Sequence, residues 1–433
     1  MSKLPPAARK WIGLAVLLAA LGLVWLGVRN GMRPTGGAAD APVAGSREPV
    51  LRPPPADLPP PPPPGVVPQP PPGMRSVGVP PGAMPEPAPG PPARDIDLPT
   101  LRAEVARLRE ALAASKDPGV LRGLIKEFGD LIDDAIASLG PEAVAQELVQ
   151  TLTTDFVDVE FGLEFGPGPD GRMETVPNWR SLLLDGLAAT ASPLAADFAR
   201  ASVLDQQRTP ADWAMGIKIL WQANGRNPDD PYLQSKVREM FANTDWTAQP
   251  TDALLESCDY VVALHDRGMV PSMVDFLQGD VRSGTPFASA IVLQRMAGGD
   301  AQVVADVLSS MDGPIADPDI ARSRASVVAR TDPRDPAAAA LVRQYLTQSG
   351  ATSAEIDYFI RSYPGVDAFV TQNLASAQPP PDRSDLARRQ LAALELLRSL
   401  AQDPALATHQ KAFGESLERL GHLVDEARSA GAL

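Results

Sequence analysis

From Asp97 onward the apolar residues recur every three to four positions, in stretches of roughly 10 to 20 residues, which is the period of a helix with one face on a core. In the clearest stretch Leu121, Leu124, Ile125, Phe128, Leu131, Ile132, Ala135 and Ile136 mark one stripe, and Gly140 followed by Pro141 closes it. Proline steps punctuate the pattern at Asp117-Pro118, Ser192-Pro193, Thr209-Pro210, Asp230-Pro231, Thr285-Pro286, Asp317-Pro318, Asp335-Pro336 and Asp403-Pro404. Each step is a helix start, because Asp, Ser or Thr accepts an orphan amide bond and proline at the first helical position gives up a donor that had no partner. The spacing predicts at least a dozen helices with short connections over residues 96–433, and short connections favour antiparallel neighbours. No strict repeat is present. The expected fold class is therefore all-α, an irregular α-solenoid or stacked helical-hairpin array, with a compact multi-helix domain as the alternative.

One stretch leaves the helical period. From Val157 to Phe165 apolar and polar residues alternate, as they do on a half-buried strand whose outer face is acidic. GPGPDG follows as a turn and Arg172 to Val176 returns, so a short β-hairpin is expected at 157–176, with an irregular loop or helix end as the competing reading. Val157, Val159, Phe161, Leu163 and Phe165 would face the helices. Asp158, Glu160 and Glu164 would face outward as a partner-binding surface.

At the other end of the chain the periodicity is replaced by an uninterrupted apolar run, Trp11 to Val28, without a single charge. At 1.5 Å per residue its eighteen residues span roughly 27 Å, which suits a transmembrane helix, and tryptophans stand near both ends. A cleaved signal peptide is the competing reading, but its apolar region is usually about 7 to 15 residues long. Lys3, Arg9 and Lys10 precede the run and only Arg29 and Arg33 follow closely, so the N-terminus is expected in the cytoplasm and the remainder outside it. Of the 47 prolines, 23 lie between Pro34 and Pro92, and so dense a proline content excludes a packed core there. That stretch reads as a disordered, semi-rigid tether of interrupted polyproline II, roughly 190 Å long if fully extended. Its PPPPPP tract is also a candidate ligand for an aromatic-lined groove. The expected organisation is 1–10 as a short cytoplasmic segment, 11–28 as the membrane helix, 29–95 as the tether and 96–433 as the helical domain. An anchor followed by a proline-rich spacer resembles the layout of envelope-spanning bacterial proteins such as the Ton-type energy transducers. Those end in a small α/β domain, so the resemblance implies neither function nor residues for the helical part.

Charge narrows the partners. The chain carries 39 Lys+Arg against 53 Asp+Glu, and residues 96–433 carry 30 against 48. Nucleic acid is not expected as a partner, since a duplex binder needs a broad basic face, although a local basic patch stays open. Cys258 is the single cysteine, which excludes an intrachain disulfide, and its apolar setting LLESCDYVVAL marks it as a small buried hydrophobe.

No catalytic motif stands out. Gly166, Gly168 and Gly171 spell G-x-G-x-x-G, yet prolines fill the intervening positions and no helix starts before Asn178, so the phosphate-binding reading is rejected. His265, His409 and His422 are far apart, with no paired spacing on a helix face, and His265 is read as closing a helix from Ala253 to Arg267. Asp155, Asp158, Glu160 and Glu164 lack the glycine-centred spacing of a calcium loop. Neither a cofactor nor a metal is expected, and no catalytic residue is assigned. Leu98, Leu101, Val105, Leu108 and Leu112, and again Phe413, Leu417, Leu420, Val424 and Ala427, keep coiled-coil spacing for two heptads. Packing on neighbouring helices is favoured over a homodimer. Together these features lead to the expectation of a membrane-anchored extracytoplasmic scaffold or adaptor that binds another protein, one with a basic surface. The alternative is a cell-envelope hydrolase whose carboxylates converge in a helical cleft.

Overall fold

A computed structural model describes residues 95–433 apart from 155, 207–208, 281–282, 349, 366–372 and 376–381. The expected cytoplasmic segment, the Trp11 to Val28 run and the proline-rich stretch up to residue 94 lie outside the described residues. Among the described residues no helix is long and apolar enough to cross a membrane.

The chain opens with helices α1 (Leu98–Ala114), α2 (Pro118–Leu139) and α3 (Pro141–Thr153), followed by strands β1 (Gly166–Pro167) and β2 (Met173–Thr175). Next come α4 (Trp179–Thr190), α5 (Pro193–Phe198) with a π-helical turn at Ala199–Leu204, α6 (Pro210–Ala223) and α7 (Pro231–Ala242). Three short helices follow, α8 (Thr244–Ala248), α9 (Asp252–Glu256) and α10 (Cys258–Ala263). The rest is α11 (Val270–Leu277), α12 (Thr285–Gly299), α13 (Ala301–Ser310), α14 (Pro318–Ala329), α15 (Pro336–Gln348), α16 (Ser353–Ser362), α17 (Arg383–Leu400) and α18 (Gln410–Ser429). The domain is thus predominantly helical, with one two-stranded sheet among the described residues.

Proline steps begin most of these helices. Asp117 Oδ1 accepts from Gly119 and Val120 amides, Asp230 from Tyr232 and Leu233, and Asp317 from Asp319 and Ile320. Ser192 and Thr209 cap α5 and α6 in the same way. Two starts depart from the pattern. At Thr285-Pro286 the helix begins one residue early, with Gly284 in the left-handed region as its cap, because the Thr285 hydroxyl is engaged by Ser283 Oγ at 2.6 Å. Asp403-Pro404 opens a 3₁₀ segment, Pro404–His409, that runs into α18. The expected helix from Ala253 to Arg267 is interrupted at Ser257, whose hydroxyl bonds back to the Ala253 carbonyl at 2.6 Å.

Packing follows a simple order. Helices two apart in the chain lie side by side: α2 on α4, α4 on α6, α10 on α12, α12 on α14, α14 on α16, and α16 on α18. A second row repeats this with α3 on α5, then α11 on α13 and α13 on α15. One continuous apolar core runs between them. Both short seams with coiled-coil spacing are used up within the chain: Leu101, Val105, Leu108 and Leu112 are buried in α1, which packs on α2, and Phe413, Leu420 and Val424 are buried in α18, which packs on α16 and α17.

The hairpin is shorter and later than its alternation predicts. Val157 to Phe165 is extended but not a strand; pairing survives only at an isolated bridge between Glu160 and Asn178 and at the two strands from Gly166 to Thr175. Gly162 adopts φ +69°, which breaks the pleat, and Pro177 has no amide to offer the ladder. Phe161 and Phe165 are buried as expected, Val159 and Leu163 are half-buried, and Val157 is 61% exposed, contrary to its expected place on the core.

Candidate binding cleft and the acidic segment

Two glycines and one ion pair shape a cleft of about 580 Å³ between α2, the β-hairpin, α4 and α6. Gly186 in α4 brings that helix against α2; a Cβ there would sit 2.9 Å from the Phe128 ring. Phe128 in turn meets Trp179 edge to face, with ring centroids 5.6 Å apart. Gly171, at φ +82°, turns the hairpin, and a Cβ at that residue would approach the Asn373 carbonyl to 3.0 Å.

Lys218 then ties the pieces together. It lies in the apolar run of α6, is 4% exposed, and its ammonium donates to the Gly171 carbonyl at 2.6 Å and to Asp185 Oδ1 of α4. The second carboxylate oxygen of Asp185 accepts the Met173 amide of β2 at 3.3 Å. A buried lysine costs several kcal/mol in solvation unless it is paired, and this pair spends its charges on clamping the hairpin to two helices. Ala375, far along the chain, is tied to α6 and α10: Trp221 Nε1 donates to the Ala375 carbonyl and the Ala375 amide to Asp259 Oδ2, itself paired with Arg295 at 2.6 Å.

Five cations line the cleft: Arg122 and Lys126 from α2, Arg172 from the hairpin, Lys218, and Arg226 just after α6. Four carboxylates accompany them, Asp130, Asp170, Glu174 and Asp185. Lys126 bonds Asp130 at 2.6 Å across one helical turn. Arg172 bonds Asp133, which holds its guanidinium above the usual range. The floor is apolar, with Ile125, Phe128, Ile132, Met173 and Leu182.

The three acidic residues predicted from the sequence are elsewhere. Asp158, Glu160 and Glu164 are all exposed along the extended segment, so their outward placement matches the alternation although the strand does not form. Asp158 is not a free docking charge: its Oδ1 accepts the Arg180 amide in the first turn of α4 at 3.0 Å and the Val159 amide at 2.9 Å. Beside it, Arg109 donates to the Val157 carbonyl at 3.1 Å.

Chemistry set aside at the sequence level has bland surroundings. Cys258 is buried and desolvation pushes its thiol far up, which removes thiolate character. His265 is exposed at φ +48° after α10, and His409 is buried with Nδ1 2.7 Å from Asp357 Oδ1. The G-x-G-x-x-G glycines form the hairpin and its turn, with no helix opening behind them. Among the described residues no group of three or more His, Cys, Asp or Glu side chains is placed to hold a metal. Sequence reasoning missed the cleft, although a signal was there: Lys218 in GIKILW and Asp185 in LLLDGL are each a lone charge inside an apolar run, and such a charge needs an opposite one. No protein-family model matches the chain, and comparison with curated proteins and with solved structures finds no significant likeness.

Proposed function

We propose that residues 96–433 are an irregular α-solenoid acting as a protein-binding scaffold, held at an extracytoplasmic membrane face by the 11–28 segment and the proline-rich stretch. The observation that carries this reading is the two-row order of packing, α10–α12–α14–α16–α18 beside α11–α13–α15. Helices stacked in this way contact mainly their near neighbours and leave long solvent-facing surfaces, the arrangement that repeat proteins use to bind partners. The charge balance of 30 Lys+Arg to 48 Asp+Glu over the same residues favours a partner with a basic face. The envelope-hydrolase alternative draws no support from the cleft. Hydrolysis by paired carboxyls requires two acids flanking one bond, whereas Asp185 and Asp130 each face a lysine and the other two lining carboxylates, Asp170 and Glu174, both come from the hairpin.

The test is photo-cross-linking in cells of the full-length chain, with the reactive residue placed at Glu160 on the acidic segment or at the exposed His422 of α18. A discrete adduct from position 160, lost at high salt and weakened by Glu164→Gln, is the expected result. Absence of an adduct from both positions would remove the scaffold reading.

A further inference from the structure

The large cleft has charges of both signs left over after its internal pairs are counted. Lys218 and Asp185 consume each other, Lys126 takes Asp130, and Arg172 turns to Asp133 outside the lining. Among the described residues Arg122 and Arg226 then have no carboxylate within ion-pair distance; Arg226 Nε reaches only Gln222 Oε1, at 3.1 Å. Arg226 is also one of three non-glycine residues with positive φ among the described residues, at +59°. In the same cleft the hairpin contributes Glu174, which is exposed and has no cation within ion-pair distance among the described residues, and Asp170, whose Oδ1 accepts the backbone amide of Arg172 at 3.0 Å. The floor of the same cleft is apolar, with Ile125, Phe128, Met173 and Leu182.

A lining that offers guanidinium groups, separate carboxylates and an apolar floor matches one ligand chemistry, a zwitterion with an apolar side chain. We infer that the cleft binds an apolar α-amino acid, free or as a peptide of two or three residues. Its carboxylate meets Arg122 and Arg226, its ammonium meets Glu174 and Asp170, and its side chain covers the floor. A volume of about 580 Å³ falls within the roughly 300 to 1,000 Å³ common for small-ligand sites. Arginine suits the carboxylate end because its fork of donors matches two oxygens. This inference does not depend on the scaffold reading, since the cleft and the acidic segment share no residue.

Calorimetric titration of the purified full-length chain tests it with four probes: leucine, leucyl-leucine, 4-methylpentanoate without the ammonium, and isoamylamine without the carboxylate. Leucine or leucyl-leucine is expected to bind saturably at one site, and each single-charge probe about tenfold or more weaker, the usual worth of one charge-assisted hydrogen bond. The relative strength of leucine and the dipeptide separates a free amino acid from a peptide as the natural source. The variants cross over. Arg122→Gln with Arg226→Gln should weaken 4-methylpentanoate and leave isoamylamine unchanged, while Glu174→Gln should do the reverse; all three side chains are exposed, so neither change threatens the fold. Ala189→Trp, at the rim, should block every probe. The inference is overturned if neither leucine nor the dipeptide binds saturably up to about 10 mM, if the two charge variants act alike on both half-probes, or if an acidic peptide binds in place of the zwitterions.

Discussion

Arg324 of α14 and Glu355 of α16 share two parallel hydrogen bonds, Nε to Oε1 at 2.7 Å and Nη2 to Oε2 at 2.9 Å, with both side chains fully buried. Further hydrogen bonds support the pair, since Tyr345 Oη donates to Glu355 Oε1 at 2.8 Å and Arg324 Nη1 donates to the carbonyls of Met311 and Gly313. Burial and the neighbouring carboxylate both hold the Tyr345 phenol far above its ordinary range, so it stays a donor. Breaking one side of such a pair strands a charge in the core. Glu355→Leu or Arg324→Met alone should destabilise the domain by about 3 to 5 kcal/mol in urea unfolding, and the double change by clearly less than the sum. Additive losses would mean that the two residues are not coupled.

The Lys218 clamp makes a local prediction. Lys218→Met leaves Asp185 without its partner and frees the Gly171 carbonyl, so the hairpin turn at 168–172 should become the first site of protease cleavage while most of the helicity remains. Lys218→Arg should not restore the wild-type pattern, because a planar fork does not fit the point occupied by a compact ammonium. Unchanged protection of the turn in both variants would dissociate the hairpin from this pair.

Acid dependence follows from Arg334, which bonds Asp332 at 2.6 Å and Asp385 at 2.5 Å. Hydrogen bonds from Arg334 outweigh desolvation and hold both carboxyls below their usual value of 3.8. A carboxylate with a depressed folded pKa adds stability that is present above the unfolded value and disappears as pH falls through the folded one. Arg334→Gln should therefore lower stability at pH 7 by about 1 kcal/mol or less, since the three side chains are partly exposed. That difference should hold down to about pH 4 and close below it. A gap between wild type and variant that widens in acid would contradict the assignment.

Phe161 and its acidic neighbours separate core from surface on the extended segment. Phe161 is 5% exposed, so Phe161→Ala should cost about 3 to 5 kcal/mol. Glu160→Gln with Glu164→Gln should leave the melting temperature nearly unchanged, whereas Asp158→Ala should lower it modestly, because it removes the acceptor for the Arg180 amide at the start of α4. An Asp158→Ala variant as stable as the wild type would show that Asn178, which accepts the Ser181 amide, caps this helix alone.

What the sequence by itself determined was most of what closes within one helical turn, the shifted start at Thr285 and the break at Ser257 apart. Asp117, Asp230 and Asp317 cap the helices after them because an Asx cap spans only two or three residues, and the stripe from Leu121 to Ala135 points to a core whatever that core contains. Tertiary structure alone decided the rest. Alternation from Val157 to Phe165 specified which side chains turn inward, but a ladder needs a partner strand, and Gly162 and Pro177 withheld it. The lone charges in apolar runs announced that opposite charges must exist without naming them: Lys218 found Asp185, 33 positions away, and Arg324 found Glu355, 31 away. The cleft arises in the same way, since Arg122, Glu174 and Arg226 come from three separate elements and share a surface only because α2, the hairpin and α6 converge there. Caps and periods are local in the chain, whereas ion pairs and clefts are local only in space.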